Sequence, residues 1–273
     1  MTKKKMIWLL AAIAVLALGY LSFGPKHKAN ESKVITVATA PGPYSELFMD
    51  GIKPILEKEG YTVKNKSFNN LLNADIALDN NEADVNVDQH SAYLKNFNKE
   101  KKGNLTALTK IPTVPMSLYQ GNKKSLADLS DGDTIAIPDD ASNKARAYRI
   151  LAQSGLITLK KGVNEVTVTQ KDIESNPNNL QFKEIDSSTI PRVRDEFAYV
   201  VLPGSVAYAA KVPAKEILVK ENVMDDYYLV LTVNKSKQNT KWAKAVKKAY
   251  QSEEFKKYFE KKNSDHAWVT VDN

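Results

Sequence analysis

The chain has 273 residues, a formal net charge of +7 and no cysteine. The length suffices for two lobes of roughly 100 residues each, and the hydrophobic content of 42% indicates a globular rather than a disordered protein. The absence of cysteine excludes disulfides, thiolate metal sites and cysteine catalysis. The lysines are spread along the whole chain and no zinc-finger, basic-zipper or RNA-binding motif is present, so we expect no nucleic-acid partner.

The first segment predicts where the protein is located. Three lysines at positions 3–5 precede an apolar run over residues 6–23, after which the chain becomes polar. This pattern is typical of a signal peptide or a membrane anchor, with the rest of the chain on the extracytoplasmic face. Residues 1–33 are thus predicted to form an anchor with its linker, retained at the cell membrane or cleaved to release a secreted protein. Tyr20 stands where a lipoprotein signal could carry its cysteine, so lipidation through cysteine is not expected.

From Val34 onward, short apolar strands alternate with amphipathic helices, which is the pattern of an α/β layered fold. The first three strands are predicted at residues 34–38, 62–68 and 83–87, with a helix after each of the first two. Residues 112–119 are predicted to be extended. A first α/β layer therefore precedes the middle of the chain.

A second series of strands and helices follows. A strand is predicted at 134–137, and Ser142 is a good N-cap for a helix over 143–153. A polar stretch follows over residues 160–179, in which Pro177 would break any helix. The end of the chain then provides two buried strands and a pair of amphipathic helices with lysine-rich outer faces. The strands are predicted at 197–202 and 227–233, and the helices around Trp242, Val246, Ala249 and Tyr250, and around Phe255, Tyr258 and Phe259.

Few residues could support catalysis. His27 adjoins the apolar segment and His266 lies near the end, which leaves His90 as the single histidine within the strand-helix body. No Gly-x-Ser-x-Gly elbow, phosphate-binding glycine loop or metal-spaced histidine pair occurs in the sequence. We therefore expect no enzyme activity, no cofactor and no metal, and an enzyme is the third-ranked hypothesis for this chain.

Binding residues in open α/β sheets lie where loops leave the carboxyl ends of strands. The predicted strand 83–87 places Asp88, His90 and Tyr93 in one such loop and the turn after it. Two interpretations stay open for the histidine and the tyrosine, because both residue types also serve as half-buried packing residues.

Arg146 is a second candidate. If Ser142 caps its helix, Arg146 lies in the first turn, where the helix dipole disfavours a cation. The position is explained if the guanidinium binds a ligand carboxylate. The alternative is an exposed arginine or an ion pair with Asp139 or Asp140.

Several strings of residues occur here in the same order as in a known family. The strings are VATAPGPYSEL from Val37, VDQHSAYLKNFN from Val87, VPMSLY from Val114, KSLADLSDGDTIAIPDDASNKARA from Lys124, KDIESNPNNLQFKEI from Lys171 and IPR from Ile190. Over residues 34–236 the chain resembles the NlpA/MetQ family of methionine-binding lipoproteins of ABC importers.

The resemblance implies an α/β, two-lobed type II periplasmic-binding-protein fold, preceded by the N-terminal hydrophobic helix. Lobe I is expected over residues 34–115 plus 228–273, and lobe II over 116–227. The resemblance also implies a monomer that captures methionine, another amino acid or a short peptide and delivers it to an ABC permease and its ATPase. The alternative is a membrane-tethered surface or interaction protein that has kept the fold and lost amino-acid binding.

Three ligand-binding residues of the family have counterparts here. The family's histidine and tyrosine after the third strand match His90 and Tyr93, and its carboxylate-binding arginine matches Arg146. The resemblance therefore places these three side chains in the cleft between the lobes.

Four positions depart from the family pattern. Asp88 replaces a phenylalanine and Leu71 replaces a tyrosine, while Pro203 and Leu229 replace two asparagines that hold the amino-acid head of the ligand. Each polar group of a ligand left unpaired by these changes would cost about 1 to 3 kcal/mol, which argues against methionine itself. One hypothesis is that Asp88 pairs with an amino or other cationic group of the ligand while Arg146 binds its acid group.

Overall fold

The computed structural model describes residues 33–271. Within this range the chain folds around two five-stranded mixed sheets and a two-stranded hairpin. The strands are β1 Val34–Thr39, β2 Thr62–Ser67, β3 Val85–Asn86, β4 Leu105–Ile111, β5 Ser117–Gln120, β6 Thr134–Pro138, β7 Thr158–Leu159, β8 Ile173–Ser175, β9 Gln181–Ile185, β10 Tyr199–Leu202, β11 Ile217–Lys220 and β12 Leu229–Asn234.

The α-helices pack on the faces of these sheets. They are α1 Pro43–Leu47, α2 Lys53–Lys58, α3 Leu71–Asp79, α4 Ser91–Lys101, α5 Ala141–Gln153, α6 Ile190–Val193, α7 Gly204–Ala209, α8 Lys241–Tyr250 and α9 Glu253–Lys262. A π-helical turn, Phe48–Ile52, joins α1 to α2. Short 3₁₀ turns lie at Leu126–Asp128, Gln170–Asp172, Arg194–Glu196, Ala214–Glu216, Asp225–Tyr227 and Lys235–Lys237.

The first sheet has the strand order β2-β1-β3-β12-β4. Strands β1, β2 and β3 are parallel, whereas β12 runs antiparallel to both β3 and β4. Its core is apolar because Ile35 and Val37 of β1 pack in one buried cluster with Leu231 of β12 and Trp242 of α8. Because β1, β2 and β3 are parallel, their carboxyl ends lie together at one edge of the sheet, where β3 leads into α4.

The second sheet has the order β11-β5-β10-β6-β9. Strands β10, β6 and β9 are parallel, and β5 is antiparallel to β10 and β11. Ile135 and Ile137 of β6 are fully buried with Tyr148 and Leu151 of α5, which covers this sheet. Burial of such side chains contributes about 1.5 to 3 kcal/mol each.

The chain passes between the two sheets twice within the described range. It leaves the first sheet after Ile111 and enters the second at Ser117, then leaves the second after Lys220 and returns at Leu229. The two connecting segments are tied together, because Glu221 in the second accepts a hydrogen bond from the backbone N–H of Met116 in the first.

Some predicted boundaries were wrong. Asp140, not Ser142, is the N-cap of α5, since its carboxylate accepts the backbone N–H of Asn143 at 3.0 Å. Ser142 instead donates its hydroxyl to Asp140. Arg146 therefore lies in the second turn of α5, where the dipole of the helix no longer opposes a cation strongly.

Several strands were not predicted from the pattern. They are β4, β7, β8, β9 and β11, all with half-exposed or polar residues. The polar stretch 160–179 contains strand β8, Ile173–Ser175, which pairs antiparallel with β7. A strand at a sheet edge buries little of its surface, so its composition resembles that of a loop.

Candidate functional site

A cavity of about 630 Å³ lies where the carboxyl ends of the parallel strands of the two sheets face each other. This size is within the range of small-molecule sites. The first sheet contributes the loops after β1 and β3 and the start of β12, and the second contributes the loops after β6, β9 and β10. All seven residues predicted as ligand contacts line it: Leu71, Asp88, His90, Tyr93, Arg146, Pro203 and Leu229.

His90 uses both ring nitrogens within the protein. Its Nδ1 accepts the backbone N–H of Tyr93 at 3.1 Å, which makes His90 the N-cap of α4. The proton is therefore on Nε2, which donates to Oδ1 of Asn143 at 3.1 Å. Burial lowers the pKa of His90 to about 3, with Arg146 acting in the same direction and the Asn143 hydrogen bond opposing it. The imidazole is consequently neutral. Its hydrogen bond to Asn143 links the first-sheet side of the cavity to α5.

Asp88 holds the loop after β1. Its carboxylate accepts the backbone N–H of Ala40 at 2.9 Å, the hydroxyl of Ser45 at 2.8 Å and the side-chain amide of Asn86 at 3.4 Å. Burial raises the pKa of Asp88 to about 6, although these hydrogen bonds oppose the rise. The oxygens of Asp88 are thus already engaged, and its pairing with a ligand cation stays a prediction.

Arg146 is bound to Glu221 in a buried ion pair, with 3% of the arginine side chain and 1% of the glutamate side chain exposed. Nε of Arg146 donates to Oε2 at 2.6 Å, and Nη2 donates to Oε1. Burial would lower the pKa of Arg146, but the adjacent Glu221 carboxylate outweighs it and raises the pKa. Among the described residues, Nη1 has no hydrogen-bond partner, so this nitrogen is available to a bound molecule.

Two residues that the sequence analysis did not single out hold Arg146 in place from behind the cavity lining. Glu221 follows β11 and compensates the charge of Arg146, so the arginine pairs with neither Asp139 nor Asp140. Tyr227 is fully buried, with the guanidinium of Arg146 5.1 Å from its ring centroid and the ring of His90 5.3 Å away edge-on. No local sequence signal joins Glu221 to an arginine 75 residues earlier.

The remaining predicted residues give the cavity an apolar surface. Pro203 is the N-cap residue of α7 and Leu229 is 3% exposed at the start of β12, where it forms an isolated bridge with His90. Leu71 begins α3 and is half-buried. Tyr93 is also half-buried, and its ring meets His90 edge-on at 6.2 Å.

The two sides of the cavity touch each other. Besides the His90–Asn143 hydrogen bond, the hydroxyl of Tyr208 in α7 donates to Glu46 in α1 at 2.5 Å. Gly42, just before α1, lies so close to Ser205 that an added Cβ would be 3.3 Å from the Ser205 Cβ. This structure is therefore a closed arrangement of the two sides.

Two further properties concern metals and membranes. Within residues 33–271, no group of three or more His, Asp and Glu side chains is placed to hold a metal ion. No helix in the same range is long and apolar enough to span a membrane. The predicted anchor, apart from Lys33, lies outside the described residues.

The chain is similar to known proteins over almost its full length. The profile of the NlpA lipoprotein family matches residues 35–271. Outer membrane lipoprotein 3 of Mannheimia haemolytica is 31% identical over 253 residues, which cover 92% of this chain and 93% of that protein. The methionine-binding lipoprotein MetQ of Bacillus subtilis is 30% identical over 260 residues, which cover 93% of this chain and 94% of that protein.

A solved structure agrees with these relatives. A nutrient-binding protein from Burkholderia cenocepacia bound to methionine has a TM-score of 0.80 and 32% sequence identity, covering 87% of this chain and 100% of that one. The predicted mixed α/β fold with two sheets is thereby confirmed. The family match and the full-length relatives together show that this chain belongs to the NlpA lipoprotein family.

Proposed function

We propose that this protein is the extracytoplasmic solute-binding protein of an ABC importer, which encloses one small amino-acid-like solute and delivers it to a membrane permease. The observation that supports the proposal most is the cavity of about 630 Å³, which is lined by both sheets and contains a buried guanidinium in its wall. A cavity that is mostly apolar, with a few converging polar groups, is the usual form of a small-molecule site.

The proposal assigns two lobes, as the sequence predicts. Lobe I comprises residues 34–115 plus 228–273, and lobe II comprises 116–227. This division is supported because each part contains one five-stranded sheet and two segments connect them. Rotation of the lobes about these segments would open and close the cavity.

Capture in this proposal depends on Arg146. Glu221 fixes Nε and Nη2, so the free Nη1 has a defined position for an acid or carbonyl oxygen of the solute. Glu221 also accepts the N–H of Met116 in the first connecting segment, so the guanidinium lies at the pivot of the proposed rotation. Closure would remove water from these hydrogen bonds and strengthen them. No bond is made or broken in this process, and we infer a binding protein rather than an enzyme.

The solute we propose is an amino acid or a short peptide, and methionine is not favoured. The Bacillus subtilis relative is named for methionine binding and the Burkholderia cenocepacia structure contains methionine. At the positions where the resemblance predicts asparagine, this chain has Pro203 and Leu229, which provide no side-chain hydrogen bonds. Its partners would be an ABC permease and ATPase, and the monomer would be held at the outer face of the cell membrane.

A thermal-shift screen of amino acids and short peptides tests the proposal. A solute that binds the folded chain stabilises it by mass action and raises its melting temperature. At a solute concentration one hundred times the dissociation constant, the stabilisation is about 2.7 kcal/mol. Ala209→Trp fills the cavity from an exposed wall position and should abolish the shift, whereas Ala127→Trp, exposed and outside the cavity, should preserve it. If no compound stabilises the wild-type chain, solute capture is refuted and the surface-protein alternative is favoured.

A further inference from the structure

The cavity carries more negative than positive charge. Arg146 adds little positive charge, because the buried Glu221 carboxylate compensates it. The second cation of the wall is the exposed Arg192. Against it stand four carboxylates that line the cavity: Asp88, Asp139, Asp140 and Asp186.

Three of these carboxylates form a group at the mouth. Asp139 and Asp140 follow β6, and Asp186 follows β9, which is the parallel neighbour of β6. Asp140 is engaged by Ser142 and Asn143. Asp186 accepts the hydroxyl and the backbone N–H of Ser188. The Asp139 carboxylate accepts no hydrogen bond from any other residue of the described range. Although the side chain is exposed, partial desolvation together with Asp186 and Asp140 raises its pKa, while Lys144 opposes the rise.

A second observation, on the opposite wall, also shows an acceptor without a donor. Gln89 lines the cavity and is only 1% exposed. Its amide nitrogen donates to Asp75, but its oxygen Oε1 has no hydrogen-bond partner among the described residues. This oxygen is itself inaccessible, but its unpaired dipole adds negative potential to this wall, as the carboxylates do on the other.

We propose that the solute of this cavity is a small organic cation, such as a diamino acid or a lysine-containing dipeptide, whose ammonium group lies between Asp139 and Asp186. This inference rests on the proposed function and specifies its substrate class. Its acid group would be directed to Nη1 of Arg146. A metal cation is not favoured, since no group of described residues is arranged as a metal site. Asp88 is not assigned the ammonium, because donors from the loop after β1 and from α1 occupy its oxygens.

The test compares solutes that differ only in their positive charge. Isothermal titration calorimetry on the dialysed full-length chain would use L-lysine against L-norleucine, which has the same carbon skeleton without the ammonium, and glycyl-lysine against glycyl-norleucine. We expect the cationic member of at least one pair to bind about tenfold more tightly, with the preference reduced at high salt. The double variant Asp139→Asn/Asp186→Asn should lose that preference, whereas Asp195→Asn, whose side chain is 81% exposed outside the cavity, should retain it.

Two results would overturn the inference, and they are distinguishable. If the neutral members bind as tightly as the cationic ones, the substrate class is wrong while solute binding stands. If neither pair nor any of the standard amino acids binds, the proposed function fails together with the substrate class. Both Asp139 and Asp186 are exposed at the mouth, so the double variant is expected to fold and to report on binding.

Discussion

The buried ion pair between Arg146 and Glu221 gives a quantitative prediction. Glu221→Gln keeps the shape of the side chain but removes the charge that compensates a guanidinium whose side chain is 3% exposed. Removing one partner of a buried pair leaves an uncompensated charge and costs about 3 to 5 kcal/mol in the free energy of unfolding. With a urea m-value of about 3 kcal/mol/M, the unfolding midpoint should fall by roughly 1 to 1.7 M.

Tryptophan fluorescence provides the assay, because Trp242 and Trp268 are both buried in the core of the first sheet. The control is Glu165→Gln, which breaks the pair between Arg149 and a glutamate that is 51% exposed and should cost less than about 1 kcal/mol. Equal midpoint shifts in the two variants would refute the claim that burial makes the Arg146 pair special. The double variant Arg146→Met/Glu221→Leu should recover part of the loss, since it leaves no buried charge behind.

Three more predictions follow from the same geometry. The pKa of His90, about 3, lies below the usual value of 6.5, so the neutral imidazole stabilises the fold less and less as the pH falls from about 6.5 towards 3. Relative to His90→Gln, the unfolding free energy of the wild type should fall by up to about 1.4 kcal/mol per pH unit in that window. Parallel pH profiles of the two proteins would contradict the assignment. Gly204→Ala should lower the free energy of unfolding by about 1 to 3 kcal/mol in chemical denaturation, because the added Cβ would lie 2.5 Å from Val114 Cγ1 and 2.7 Å from two carbonyl oxygens. An unchanged free energy of unfolding would show that the backbone at Gly204 and at Val114 can move apart. Tyr208→Phe removes the hydroxyl that donates to Glu46 and should lower the population of the closed arrangement, so that solute affinity weakens by less than about tenfold. An unchanged affinity in calorimetry would show that this hydrogen bond does not stabilise the closed arrangement.

The strands in the middle of the sheets could be predicted from the sequence, and those at the edges could not. β10 and β12 are buried along their whole length, so their residues form the continuous apolar runs that indicate such strands. β9 at the edge of the second sheet has the sequence QFKEI, with three exposed residues. β3 ends earlier than predicted, since the backbone N–H of Asp88 donates to the side chain of Asn86 instead of continuing the sheet.

The candidate site shows the same limit at the level of side chains. The loop after β3 and the helix after β6 could be located from the sequence. His90, Tyr93 and Arg146 on these elements line the cavity, and their role as ligand contacts stays a prediction. Their partners could not be predicted, since Asn143 and Glu221 meet His90 and Arg146 only through packing of distant segments. The assignment of Ser142 as the cap was wrong because Asp140 and Ser142 are both good capping residues, and it is the Asp140 carboxylate that accepts the N–H of Asn143.

The most direct test of the account is a crystal structure of this chain with the tightest solute from the screen. We expect electron density for one small molecule in the cavity of about 630 Å³, with an acid or carbonyl oxygen within hydrogen-bond distance of Arg146 Nη1. An empty cavity in crystals grown at saturating solute, or the solute bound on another surface, would contradict it.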